Sequence, residues 1–120
     1  MKKLTLAIAG AAALTFASGA FAADIEAGKA AYTKFACASC HGADGKTATS
    51  PAYPVLAGQH EDYLRHALRA YKRGAAGAPA TANVRKNAIM GSMVAPLSPV
   101  DIQNIAAWLA SQPSSLSIHK

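Results

Sequence analysis

The sequence predicts an all-α domain, three main helices with long loops around a large central group, and three observations carry that expectation. Apolar residues recur at helical spacing in three separate segments, and no stretch alternates apolar with polar side chains as a half-buried strand does. Glycine and proline gather between those segments, where they act as breakers. The core is also thin: after residue 41 the only Phe, Tyr or Trp rings are Tyr53, Tyr63, Tyr71 and Trp108, and much of the other apolar content is alanine. A chain of this size is marginal on its own core, so something large and apolar at the centre is expected to complete it.

The first element is for export. Met1-Lys2-Lys3 is positively charged, Leu4 to Phe16 carries no charge, and Ala20-Phe21-Ala22 forms an A-x-A cleavage pattern. This is the layout of a bacterial secretory signal peptide over residues 1–22. The apolar run is short for the ~30 Å hydrocarbon core of a bilayer, and the cleavage site follows it directly. The expected outcome is a periplasmic domain of residues 23–120, with no permanent membrane anchor after cleavage. Losing Lys2 and Lys3 leaves ten basic against six acidic side chains, a formal net charge of +4. With that modest charge and no run interleaving basic and aromatic residues, nucleic acid is not expected as a partner. Arg65, Arg69, Lys72 and Arg73 fall in one segment and Arg85 and Lys86 in a later one. They read as a solvated helix face or as a docking patch for an acidic partner.

A first helix is expected from about Asp24 through Phe35, with Ile25, Gly28, Tyr32 and Phe35 at helical spacing. It leads into "CASCH", which holds both cysteines of the chain, Cys37 and Cys40, and places His41 directly after the second. Three chemistries compete for this pattern. A Cys37–Cys40 disulfide suits an oxidising compartment, but so short a loop would add little stability and leaves His41 without a role. Structural zinc needs four ligands, and His60, His66 and His119 offer no paired zinc spacing. Cys-x-x-Cys-His is the signature of covalent haem attachment. Two thiols on one helical turn can each add to a vinyl group on one porphyrin edge, carrying His41 under the iron as the proximal ligand. One covalent haem c per chain is the expected cofactor.

Beyond "HGADGK" a loop broken by Pro51, Pro54 and Gly58 is expected. A second helix follows, with Tyr63, Leu64, Ala67, Leu68 and Tyr71 along one stripe and Gly74 as its stop. The segments "AAGAPATANVRKNA" and "IMGSMVAPL" read as loop. Ser98-Pro99-Val100-Asp101 then offers a hydroxyl N-cap, proline at the first helical position and a carboxylate at the third. Ile102, Ile105, Ala106 and Leu109 mark one face of that last helix, Trp108 lies beside it, and Pro113 ends it.

An electron-transfer haem needs a second axial ligand, and a methionine thioether would raise the potential. After the signal segment only Met90 and Met93 are available. Methionine is usually core filler, but a haem in the chain changes that expectation. Met90 is the first choice and Met93 the second. His60 and His66 compete for a bis-histidine site, though they read more simply as surface residues at or near the start of the second helix.

The motifs "CASCHGADGK", "YPVLAGQHEDYL", "MGSM" and "PLSPVDIQNIAAWLASQ" resemble the class I cytochromes c, and in particular one half of the dihaem cytochromes of the c-4 subclass and their monohaem relatives. The resemblance runs from about Ile25 to Gln112. It implies a class I cytochrome c fold, Cys37 and Cys40 as the thioether sites, and His41 and Met90 as axial ligands, with Met93 as a packing residue. It also implies that the Pro51 carbonyl accepts the other ring hydrogen of His41, and that Gly28, Tyr32 and Trp108 form the crossing of first and last helices. With a single haem motif, a dihaem role is not expected of this chain by itself. The function implied is single-electron transfer between redox proteins without catalysis. Rival readings are a haem subunit of a periplasmic oxidoreductase and a gas or redox sensor with a labile sixth ligand.

Overall fold

The computed structural model describes residues 22–116, in which there are helices and no strands. The export segment expected over residues 1–22 lies, apart from Ala22, outside the described residues. The helices are α1 (Ile25–Lys34), α2 (Ala38–His41), α3 (Glu61–Ala75), α4 (Ala88–Val94) and α5 (Pro99–Ser111), with one 3₁₀ turn at Ala80–Ala82.

The ends of these helices follow from their capping residues. The Asp24 carboxylate accepts from the Ala27 backbone N–H at 2.9 Å and starts α1. At α5, Ser98 Oγ accepts from the Asp101 N–H at 3.0 Å while Asp101 Oδ2 accepts from the Ser98 N–H at 2.8 Å. That reciprocal capping box, with Pro99 at the first helical position, is worth ~1 kcal/mol or more. Gln112 turns to extended backbone ahead of Pro113 and stops the helix.

The core forms where α1 crosses α5. Gly28 sits so close to α5 that a Cβ on it would lie 2.0 Å from the Asn104 carbonyl oxygen. Only glycine permits this approach. The contact brings the Tyr32 and Trp108 rings to 4.7 Å between centroids. Ile102, Ile105 and Leu109 are each 2% exposed, and burying such a side chain fully contributes ~1.5–3 kcal/mol. Ile25, expected on the buried face of α1, is instead 45% exposed; it is the first helical residue, and the inward face is Gly28, Ala31 and Tyr32.

The largest departure from the sequence reading is α4. The segment holding Met90 and Met93, expected as loop, is a two-turn helix whose N-cap Asn87 accepts from the Met90 N–H at 2.9 Å. Gly91 within it packs against Ala75 of α3, and this close approach explains a glycine that reads in sequence as a breaker.

Candidate functional site

Between α2, α3, α4 and the loop after His41 lies a cavity of about 560 Å³, within the ~300–1,000 Å³ span of ligand pockets. Its wall is mostly apolar. Leu64 and Leu68 of α3, Val94 of α4, Leu97, and Ile105 and Leu109 of α5 contribute to it. Cys37, Cys40, His41, Met90 and Met93 all line this one cavity. His60 and His66 do not line it and are exposed.

The cysteine motif is set by a turn of unusual backbone. Ala36 has φ 56°, in the left-handed region, and this reverses the chain after α1 so that α2 begins at once. The His41 N–H bonds to the Cys37 carbonyl at 3.1 Å, closing the single turn that stacks both thiols and the imidazole on one side. Gly42 follows at φ 82°, and a Cβ there would meet the Thr47 carbonyl oxygen at 2.2 Å. Both cysteines are free thiols, and burial pushes the Cys37 thiol above its ordinary pKa.

His41 is 5% exposed and fixed by a single bond: its Nδ1–H donates to the Pro54 carbonyl at 3.0 Å. The tautomer this selects leaves Nε2 with its lone pair free to bind iron. The family resemblance implies this acceptor at Pro51; the structure has it at Pro54, and Pro51 is exposed in the preceding turn. The physical reason lies in the loop's anchorage. The Gly45 carbonyl accepts from Leu56 and Ala57 at 2.7 and 2.9 Å, and the Gly58 N–H donates to Leu109 at 2.8 Å. These bonds tether residues 56–58, so the Pro54 carbonyl, two residues ahead of Leu56, is the one held against His41. Tyr32 supports the same turn from α1, its hydroxyl donating to the Gly42 carbonyl at 2.8 Å. Burial pushes that hydroxyl far above the ordinary tyrosine pKa, so it stays a donor.

The basic residues have roles that the sequence reading missed. Lys72 Nζ donates to the Ala95 carbonyl at 2.7 Å and also to that of Leu97, holding the end of α4. Arg73 donates to Ala82 and Asn83 at 3.2 and 2.6 Å, clamping the loop between α3 and α4. Arg65 pairs with Glu61 and Asp62. Arg85 lies over the Tyr63 and Tyr71 rings at 5.4 and 5.5 Å from their centroids and donates to the Tyr63 hydroxyl at 3.1 Å. Lysine and arginine at i and i+1 gave a charge pattern but no sign of which carbonyls they serve.

The donor set decides which group this site can hold. Among the described residues no cluster of three or more His, Cys, Asp and Glu is placed to bind a metal ion, so the zinc reading of the motif has no geometry. Two free thiols and an oriented imidazole on the wall of an apolar cavity, with two thioethers also on that wall, fit haem c. The Cytochrome c family model matches residues 25–113, an interval that contains the whole cavity wall. The chain belongs to the cytochrome c family. Membership brings covalent haem c, for which Cys37 and Cys40 have the required spacing.

Two curated relatives and a solved structure are similar to this cytochrome over most of its length. Cytochrome c4 of Stutzerimonas stutzeri is 40% identical over 114 residues, covering 94% of this chain and 49% of the relative. The thiosulfate dehydrogenase electron acceptor of Stutzerimonas stutzeri (strain A1501) is 35% identical over 121 aligned residues, covering 95% of this chain and 50% of the relative. The chain therefore spans about half the length of these curated relatives. The crystal structure of reduced recombinant cytochrome c4 from Pseudomonas stutzeri superimposes with a TM-score of 0.68 at 42% identity, over 78% of this chain and 48% of that one. The class I cytochrome c fold expected from sequence is thus the fold observed.

Proposed function

We propose that this cytochrome is an exported, periplasmic single-electron carrier, with residues 1–22 removed as a signal peptide and residues 23–120 forming the working domain. The observation that carries the reading is the meeting of Cys37, Cys40, His41 and Met90 on one apolar cavity, with the His41 ring already oriented by Pro54. Haem c supplies an iron that alternates between ferric and ferrous states. Cys37 and Cys40 would tether it, and His41 would offer it Nε2. Met90 offers the distal thioether, a soft donor that favours the reduced iron and raises the potential. His41 and Met90 would both be committed to the iron, which would leave it no position for a substrate and suits transfer rather than catalysis. Among the described residues no helix is long and apolar enough to cross a membrane.

Met90 and Met93 stand three residues apart on α4 and both reach the cavity wall, so the distal assignment is tested by comparing them. Met90→Ala should open the iron to carbon monoxide and cyanide and lower the potential. Met93→Ala should keep the low-spin spectrum and cost about 2 kcal/mol, the low end for truncating a methionine that is only half-buried. Reversed outcomes would move the ligand to Met93. Normal low-spin spectra in both would move it to a histidine.

A second reading, a haem subunit of an oxidoreductase complex, draws on two observations. One relative is named as the electron acceptor of a thiosulfate dehydrogenase. In addition Val55, Tyr63 and Ile89, all on the cavity wall, are 39, 49 and 57% exposed. Native electrophoresis of a periplasmic extract with haem detection separates the two. A free carrier runs at the mass of one chain or a small oligomer, whereas a subunit runs with its enzyme.

A further inference from the structure

The chain keeps contact with the fold after α5 ends. The Trp108 carbonyl accepts from the Ser111 hydroxyl at 2.7 Å and from Gln112 Nε2 at 3.1 Å, which fixes the exit from the helix. Beyond Pro113, the Ser114 hydroxyl donates to the Ala57 carbonyl, in the loop that supports His41. The Leu116 N–H donates to the same serine oxygen at 3.1 Å. A hydroxyl has one donor and two acceptor positions, so the bond from Leu116 helps aim the proton at Ala57. Ala57 is 0% exposed, and a carbonyl buried that deeply needs a donor from the protein.

The Ser114 bond falls on a peptide unit that could otherwise turn over. Residues 56–59 form a tight turn, closed by the Gln59 N–H donating to the Leu56 carbonyl at 3.2 Å. Gly58, at the third position, has φ 75°, as a type II turn requires. Type I and type II turns differ by a flip of the central peptide, and glycine tolerates both. Here that peptide joins Ala57 to Gly58, and α5 with its extension holds both of its ends. The Gly58 N–H donates to the Leu109 carbonyl at 2.8 Å, and the Ala57 carbonyl accepts from Ser114. Two residues ahead of the turn stands Pro54, whose carbonyl accepts the His41 Nδ1–H at 3.0 Å.

We propose that Ser114 is a positioning residue for His41: by locking the Ala57–Gly58 peptide it keeps the Pro54 carbonyl on Nδ1–H. The inference rests on the haem reading above, because it concerns the imidazole which that reading assigns to the iron. Without the hydroxyl, the buried Ala57 carbonyl loses this donor, and the loop relieves the penalty by rotating the peptide. The turn loosens, and the bond from His41 to Pro54 opens more often. A weaker bond at Nδ1 makes Nε2 a poorer donor, which disfavours the ferric state and raises the potential. A contact with a purely structural role would lower stability and leave the potential where it was.

The test uses the full-length chain matured in a host that attaches haem. Two quantities are read: the midpoint potential, and the exchange rate of the His41 Nδ1–H by NMR of the reduced protein. Ser114→Ala should raise the potential and speed exchange roughly five- to tenfold, the change that losing one hydrogen bond gives a local opening equilibrium. Ser114→Thr keeps the hydroxyl and should restore both values. Ser111→Ala removes a hydroxyl from the last turn of α5 that serves Trp108, and should move neither. Unchanged potential and exchange in Ser114→Ala, no restoration by threonine, or an equal shift in Ser111→Ala overturns the proposal. Should Ser114→Ala fail to mature, Ser114→Cys decides, since a thiol is only a weak donor. It should shift both quantities in the same direction by less, and no shift overturns the proposal. Absence of covalent haem in the unsubstituted protein would instead overturn the haem reading, so the two failures are distinguishable.

Discussion

On one side of the cavity, α1 and α5 meet backbone to backbone, with Gly28 against Asn104 and the Tyr32 and Trp108 rings in tilted contact beside them. On the other, α3 and α4 bury few residues: Leu64 and Ala70 from α3, Gly91 and Val94 from α4. This second side is tied together by the long cations Lys72 and Arg73, which reach across to loop carbonyls. The first side is a core in its own right. The second leans on whatever fills the cavity, and its charged ties keep α4 at the right distance without requiring an apolar interior.

The widest separation of the two sides comes from removing the haem. Cys37→Ala combined with Cys40→Ala should abolish haem staining of the denatured protein. The chain should also lose its cooperative thermal transition, because the cavity side has too little apolar surface to close on itself. A sharp reversible melt with near-native helix content would place the stability in the polypeptide alone. Within the matured protein the sides should respond differently to a single methyl group. Gly28→Ala should cost about 3 kcal/mol or more, because the new Cβ meets a backbone oxygen that cannot move aside. Gly91→Ala, with its nearest neighbour the Ala75 Cβ at 3.2 Å, should cost less than about 1 kcal/mol, since alanine also favours the helix. Denaturant melts of the pair measure the contrast directly.

Lys72→Met comes next in size. It keeps the aliphatic stem but drops the bonds to Ala95 and Leu97, and a loss of about 1–2 kcal/mol is expected for charged bonds of this partly open kind. The loosened α4 should weaken the Met90 ligation proposed above more than global stability, and faster carbon monoxide binding would register it. The smallest effect belongs to Asp44, on the loop after the haem motif. Its carboxylate accepts from the Lys46 and Thr47 N–H groups at 2.9 and 2.8 Å and from the Thr47 hydroxyl, which lowers its pKa from 3.8 to about 2. A depressed folded-state value means the contribution is complete above pH ~4 and lost as pH falls toward ~2. An NMR titration of Asp44 should give a midpoint near 2, with Asp44→Asn flattening that acid limb.

The core side was the more legible in sequence, for a physical reason. Ile102, Ile105, Ala106 and Leu109 report their burial through helical spacing, and Ser98-Pro99-Val100-Asp101 announces a helix start by local chemistry. The cysteine motif was legible because its spacing is itself the requirement of the chemistry. On the cavity side the determinants are long-range. Gly91 looks like a breaker until Ala75 is seen beside it. Pro51 and Pro54 are equivalent as residues, and only the tether of residues 56–58 selects the second. Lys72, Arg73 and Arg85 advertise charge, whereas their partners are carbonyls and rings brought close by the fold.

The crossing of α1 and α5 also orders events in time. The Asp24 N–H bonds to the Asn104 side chain 80 positions away, and the loop under His41 is anchored on Leu109. Loop closure over such a span is entropically costly, and none of its rewards arrive before the last helix exists. A growing chain therefore presents Cys37 and Cys40 long before α5 can shut the fold around them. The thiols stay reachable for attachment during that interval, and the final helix acts as the latch that ends it.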